Sequence, residues 1–293
     1  MPLSEFQSRL LRLLAAHRNP ESYVAGASPL TRAGTRFSHD IDLFHDREAA
    51  LQQAVTEDTA RLEASGFGIE WIRRFPMLRT ALIRDGGENT LLEWVVDSAY
   101  RFFPAMRDDL FGYVLHPADI ATNKALAAAG RREPRDIVDL LMIHEQYLPL
   151  GAVIWAASAK DPGLSPEGIV AEIRRNARYL QADYDRVETV TPIDAAVTAR
   201  ALRAALDVAD AFVRNMPAGQ EGVLFLKEGQ PVQPDPTQLA RYVPHEGRQR
   251  GHWPSSPEIE RSMLERYRPL ELRRHRAGSD PPDKPGDDGD GAT

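Results

Sequence analysis

The chain has 293 residues, enough for one large or two modest domains, and its apolar fraction of 42% is ample for a core. No apolar run approaches the roughly 18 residues of a membrane span, and a net charge of −7 argues against a protein that coats nucleic acid. Cysteine is absent, which excludes disulfides and thiolate metal sites.

Residues 4 to 17 read as an amphipathic helix, with Ser4 as N-cap and Phe6, Leu10, Leu13 and Leu14 on one face. Charges are spread from Ser4 to Arg18 and no small-residue cleavage site follows, so no signal peptide is expected and the cytoplasm is the expected compartment. Glu21 to Leu30 then read as a short strand, a Gly26-Ala27-Ser28 turn and a helix start with Pro29 at an early position. Small residues let the backbone approach a phosphate, and a helix N-terminus offers free N–H groups. Gly26 and Ser28 are therefore candidate nucleotide-binding residues.

The next stretch, Arg36-Phe37-Ser38-His39-Asp40-Ile41-Asp42-Leu43-Phe44, reads as a strand. Alternation puts Asp40 and Asp42 on one side, with Ser38, and Ile41 and Leu43 on the other, toward a core. Two carboxylates side by side repel each other unless a cation compensates them, and Mg²⁺ takes oxygen ligands of this kind beside substrate phosphates. The alternative is an edge strand with a polar outer face. Ser38 is a candidate phosphate contact, whereas His39 reads as structural.

Arg47 to Ser65 reads as a helix stopped by Gly66. Three β-rich runs follow, Phe67 to Arg73, Leu78 to Asp85 and Thr90 to Asp97, the last two joined as a hairpin through Gly86-Gly87. Glu93 and Asp97 share a face of the third run. An acid in an apolar strand needs a partner. For Glu93 this is either a bound Mg²⁺, with Glu93 as third ligand or general base, or an arginine such as Arg79 on the hairpin partner; Asp97 reads as a surface turn residue. This order of helix, antiparallel strands and helices predicts an α+β fold with a small mixed or antiparallel sheet, followed by a mostly helical C-terminal region.

Beyond Pro117 the pattern is almost wholly helical: Ala118 to Ala129 with His116 as cap, Pro134 to Tyr147, Gly151 to Ala159, Ser165 to Tyr179, Ile193 to Asn215 and Ser256 to Tyr267. Val223 to Leu226 is an isolated strand candidate. Lys124 sits inside an Ala-rich helix, where a lysine point charge suits a triphosphate. Arg135, Asp136 and Asp139 open the next helix. Acids there are favoured by the helix dipole alone, yet Asp136 and Asp139 share a face. Asp136 is the preferred candidate, to orient Lys124 or Arg135 or to accept the proton of an attacking hydroxyl; Asp139 is read as part of the helix start.

Residues 241–276 hold nine arginines against five glutamates, interleaved with Tyr242, His245, His252, Trp253, Tyr267 and His275. This pattern suits RNA phosphates and bases, or else a solvated helical face of pairs such as Glu258–Arg261. From Ala277 onward Asp, Gly and Pro dominate and predict a disordered acidic tail. The expected organisation is residues 1–148 as a first domain including the Lys124 and Arg135-Asp136 helices, 149–276 as a mainly helical region, and 277–293 as the tail.

The Gly-small-Ser turn followed by Asp40-Ile41-Asp42 is similar to the pattern of polymerase-beta-like nucleotidyltransferases. More closely, Arg36 to Phe44 resembles the signature of the AbiEii/AbiGii nucleotidyltransferase toxin family. Lys124-Ala125-Leu126, Arg131 and Arg135-Asp136-Ile137-Val138-Asp139-Leu140 resemble that family's second block. The likeness covers about residues 20 to 148, and Gly26-Ala27-Ser28 stands where the family usually has Gly-Gly-Thr. The resemblance implies the nucleotidyltransferase fold and a Mg²⁺-dependent enzyme, using two Mg²⁺ with Mn²⁺ as substitute. It would move a nucleoside monophosphate from an NTP to an acceptor such as a tRNA 3′ end, as the toxin of a type IV toxin–antitoxin (abortive infection) pair with a cognate antitoxin. It also implies roles for Asp40, Asp42, Lys124 and Asp136 in catalysis, for Gly26, Ser28, Ser38 and Arg135 in nucleotide binding, and for Asp40, Asp42 and Glu93 as metal ligands. Alternative expectations are a nucleotidyltransferase acting on a small antibiotic acceptor, or an inactive protein that binds a nucleotide or a partner.

Overall fold

A computed structural model describes residues 3–26, 28–31 and 36–254. Helix α1 (Glu5–Ala15) begins where Ser4 and Gln7 exchange side-chain and backbone hydrogen bonds, a capping box. Its face of Phe6, Leu10, Leu11 and Leu14 is buried. Gln7 also lies inside and donates to Ser38 O at 2.7 Å, which ties α1 to the approach to the Asp40 strand. Strand β1 (Ser22–Val24), the four-residue helix α2 (Ser28–Thr31), β2 (Asp40–His45) and α3 (Glu48–Ala64) follow. Strands β3 (Gly68–Phe75), β4 (Leu78–Asp85) and β5 (Glu88–Val96) are joined by two tight hairpins, as expected for the pair around Gly86-Gly87.

Three short strands were not legible in the sequence: β6 (Tyr100–Arg101), β7 (Met106–Asp108) and β8 (Gly112–Val114). Runs of two or three residues are too short to show alternation. Among the described residues seven strands form one sheet in the order β3-β4-β5-β2-β1-β8-β7. The sheet is mixed, since β2 lies parallel to β5 and antiparallel to β1, while β1 and β8 are parallel. One face carries Ile41, Leu43, Ala81, Ile83, Leu92 and Trp94, packed with α1 and α3 into one buried cluster. Trp94 Nε1 donates to Asp58 of α3 at 2.8 Å, and Asp58 is paired with buried Arg18.

The chain continues through α4 (Pro117–Gly130), α5 (Pro134–Gln146), α6 (Leu150–Ala157), α7 (Pro166–Asn176), the short α8 (Gln181–Tyr184) and α9 (Ala195–Asn215). Ala118, Ala121, Ala125 and Ala128 give α4 a thin surface against which the other helices close, and α4 to α7 and α9 share one core. Helix α7 stops at Asn176, short of the expected Tyr179, because the Asn176 amide turns inward to donate to Ala129 O at 2.7 Å. The expected isolated strand is instead central in a small sheet: β9 (Leu224–Lys227) pairs with β10 (Gln230–Pro231) and β11 (Val243–His245). The expected Ser256–Tyr267 helix and the acidic tail lie outside the described residues. Among the described residues no single helix is long and apolar enough to cross a membrane.

A strap returns from the helical layer to the sheet. After β11, β12 (Arg248–Gln249) pairs with β6, and Arg250 reaches Glu21 and Asp46. His245 is buried, bonded to Phe102 O at 2.8 Å, and His116 stacks on Phe103 with ring centroids 3.9 Å apart. His116 Nδ1 accepts from Ala118 N at 3.2 Å, which requires the neutral ring and makes it the α4 cap the sequence predicts. Burial pushes the ionisation of His116 down to about 3, with Asp119 opposing, and that of His245 down to about 4, with the Phe102 carbonyl opposing. The unfolded chain takes up these protons near pH 6.5 while the folded one does not. Stability is therefore fully present above about pH 6.5 and falls as the pH drops toward 4. The denaturant midpoint should decline across that window, less steeply in His245→Phe. A flat midpoint from pH 7 to 4.5 would contradict it.

Candidate active site

Alternation along β2 holds as predicted: Ile41 and Leu43 are fully buried in the core, and Asp40 and Asp42 project together from the opposite face. Because β5 runs parallel beside β2 with Asp42 opposite Glu93, a third carboxylate lies on the same face. The Asp42 carboxylate has no hydrogen-bond or ion-pair partner among the described residues. Burial, then the neighbouring Asp40 and Glu93, push its ionisation up to about 7, against the pull of Lys124 and Arg135. Asp40 goes the other way. Burial would raise it, but Arg135 at 3.1 Å and the Ser38 hydroxyl at 2.9 Å outweigh burial and hold its carboxyl below the usual range.

Glu93 accepts from Thr80 Oγ1 at 3.1 Å. Arg79 is not its partner: Arg79 stands opposite Trp94, so the two-residue period points it away from Glu93. Asp97, expected at the surface, is half-buried at the end of β5, and burial raises its carboxyl.

The turn before α2 is pressed against this face. Gly26 has φ +68°, and a Cβ added there would overlap the Asp42 carboxylate, 2.7 Å from its Cγ. Ala25 N donates to Asp42 O at 3.0 Å, and buried Ser28 donates to Asp40 O at 3.2 Å. Helix α2 has only four residues, so its summed dipole is small and the close approach of the turn counts for more. Ser38 is buried and uses its hydroxyl on Asp40, so it orients that carboxylate. His39, expected to be structural, is exposed and lies 3.1 Å from Glu188.

Behind the carboxylates the sheet meets α4 and α5 through a buried ionic network. Lys124 Nζ lies 2.7 Å from Asp139 and 3.8 Å from Asp136. Arg36 grips Asp139 with two bonds of 3.0 and 3.1 Å, and Arg131 grips Asp136 with two of 2.8 and 3.0 Å. Burial would raise Asp139, but Lys124 and Arg36 overcome it and hold the carboxyl below the usual range. The preference for Asp136 over Asp139 thus misses the closer partner of Lys124, and Arg36 and Arg131, named only within the motif blocks, carry no assigned role there. Arg36 pairs with Asp139 across 103 positions, which leaves no local signal, whereas Arg131 and Asp136 are only five residues apart.

Hard oxygen donors are what a divalent cation requires, and the unpartnered Asp42 carboxylate beside Asp40 and Glu93 supplies them. Among the described residues no group of three such side chains already converges as a metal cage. Arg135 holds Asp40, and Thr80 holds Glu93. A cleft of about 520 Å³ opens beside Arg135, with Phe37, His39, Arg132, Tyr179 and Arg186 on its walls.

Part of the expected RNA segment is used up internally. His245 is bonded to the backbone, Trp253 packs on Phe103 at 5.5 Å between ring centroids, and Arg250 is paired with Glu21. Residues 255–276 of that segment lie outside the described residues.

No protein-family model matches the chain, and no curated protein matches it in sequence. Among solved structures it is similar to MenT4, a nucleotidyltransferase toxin from Mycobacterium tuberculosis. The TM-score is 0.50 at 17% identity, over 73% of this chain and 83% of that one. A protein from H. pylori assigned to the nucleotidyltransferases matches 71% of this chain and 94% of its own, at 15% identity and a TM-score of 0.43, below the level of a shared fold. The chain has the nucleotidyltransferase fold, a mixed sheet with helices on both sides.

Proposed function

We propose that this chain is a Mg²⁺-dependent nucleotidyltransferase, the toxin of a toxin–antitoxin pair, that transfers a nucleoside monophosphate from an NTP to an acceptor hydroxyl such as a tRNA 3′ end. The observation that carries the reading is the Gly26 turn lying in contact with Asp42, whose carboxylate faces Asp40 and Glu93. A phosphate held by that turn comes beside three acidic side chains. The likeness of the fold to MenT4 and the resemblance of the Asp40 and Lys124 blocks to the AbiEii/AbiGii family support the toxin reading and a cognate antitoxin.

Asp40 and Asp42, with Glu93, would hold the cation. When bound, it neutralises phosphate charge and lowers the barrier to deprotonating the acceptor. Arg135, beside Asp40, would bind phosphate oxygens. Lys124, held by Asp139, adds positive charge behind them. The acceptor oxygen bonds to the α-phosphorus, the bond to the bridging oxygen breaks and pyrophosphate leaves; Glu93, where it acts as base in place of a cation ligand, would take the hydroxyl proton.

The test gives the intact chain and its Asp40→Ala/Asp42→Ala variant Mg²⁺, each labelled NTP in turn, and total RNA. Label in tRNA with the intact chain alone is the expected result. NTP binding without label in RNA, protein or a small acceptor would sink the catalytic reading.

A further inference from the structure

The cleft beside Arg135 begins where the acidic cluster ends. Arg135 reaches Asp40 at 3.1 Å and also lines the cleft, whose volume of about 520 Å³ is usual for a small-ligand site between layers. One wall is the approach to β2, with Phe37 and His39; the other is the start of α5 together with residues around α8. The walls are stitched together, since Phe37 N donates to Glu188 O at 3.0 Å and Arg36 forms a β-bridge with Thr189. Along β2 the order is therefore the cleft, Asp40, then Asp42, and the Gly26 turn touches the Asp42 end. A nucleotide with its phosphates at the turn and at the carboxylates extends past Asp40 into the cleft.

Most charges in the cleft are already matched. Arg36 holds Asp139, Arg135 holds Asp40, and Glu188 lies 3.1 Å from His39. Two arginines and two acids remain. Arg132 and Arg186 have no ion pair among the described residues. Glu133 is 3.9 Å from Arg135, and Asp183 accepts from Leu180 N at 2.8 Å through one oxygen, leaving the other for a ligand. Such a balance suits neither a polyanion nor a polycation. It fits a neutral group that both accepts and donates hydrogen bonds. The Arg132 guanidinium lies over the half-buried Tyr179, 5.9 Å from the ring centroid, and nucleobases stack on planes of both kinds.

The lining also discriminates between bases. Arginine only donates and an ionised carboxylate only accepts. Guanine and uracil present a carbonyl beside a ring N–H, which meets an arginine and a carboxylate side by side. Adenine and cytosine present an amino group beside a bare ring nitrogen, which a carboxylate repels. Asn or Gln would serve those two, and among the described residues neither lines the cleft.

We propose that the cleft holds the base of the transferred nucleotide, stacked on Arg132 and Tyr179, and that Arg186 and Asp183 select guanine or uracil over adenine and cytosine. This rests on the transfer reading above for the position of the phosphates, and on the cleft itself for the base.

The test is calorimetric titration of the full chain with each of the four NTPs and Mg²⁺, without acceptor. GTP and UTP should bind at least about tenfold more tightly than ATP and CTP, the size of one well-placed base contact; comparing those two then separates a purine site from a pyrimidine site. Tyr179→Ala should weaken all four by at least about fivefold, the loss of one stacking platform, and Tyr179→Phe should retain the binding. Asp183→Asn should level the ranking, because the amide donates to a ring nitrogen while its oxygen still caps Leu180. Asp185→Asn, close by but outside the cleft and bonded to Gln181, should change nothing. In turnover, Asp183→Asn should alter the ratio of kcat/KM between NTPs and leave the acceptor KM alone.

Tighter binding of ATP or CTP would overturn the selection. NTP binding that ignores both Tyr179→Ala and Asp183→Asn would overturn the whole proposal and leave the transfer reading standing. Failure of the intact chain to bind any NTP would remove both. Ranked binding that responds to these variants, with no transfer to any acceptor, would keep the base site and remove the transfer reading.

Discussion

Gly26→Ala should lower nucleotide transfer by on the order of 10²-fold, the cost of displacing a reacting group by about an ångström. The added methyl would overlap the Asp42 carboxylate, and a φ of +68° is strained for alanine. Either the turn lifts away from the carboxylates or Asp42 rotates out of the row with Glu93; both separate the phosphate cradle from the acidic cluster. Overpacking of this kind should also cost about 1–3 kcal/mol of stability. A double-mutant cycle separates the two effects. Gly26→Ala should destabilise much less in an Asp42→Ala background, where the overlap is gone, while transfer stays lost. If Gly26→Ala destabilises equally in both backgrounds, backbone strain is the cause and the contact with Asp42 is incidental.

Asp139→Ala should be the most destabilising single change in the cleft, at about 3–5 kcal/mol, the range for removing one partner of a buried ion pair. It would leave Arg36 and Lys124 together in a buried site with no carboxylate between them. Lys124→Met should cost much less, since Asp139 keeps both bonds from Arg36 and Asp136 keeps both from Arg131. The measurement is the urea midpoint at constant slope. A loss after Asp139→Ala no larger than that from an exposed pair such as Glu70–Arg84 would mean that water enters and screens the cations. Transfer should fall in both variants, because in both the charge behind the phosphates is lost or displaced.

The sequence by itself determined the local grammar. Asp40 and Asp42 alternate with Ile41 and Leu43, so two acids had to share the face opposite the core. Gly86-Gly87 marked the β4–β5 hairpin, Ser4 and His116 the starts of two helices, and Pro134 the start of a third. These depend on backbone periods and caps that act within a few residues. Only the tertiary structure decided the rest. Arg36 finds Asp139 across 103 positions and Arg135 finds Asp40 across 95, contacts set by how α4 and α5 dock on the sheet. The same holds for Glu93, whose partner is Thr80 rather than Arg79. Charge alone does not encode partner choice, because any of 36 basic residues could pair with any of 43 acidic ones until packing fixes which are buried together.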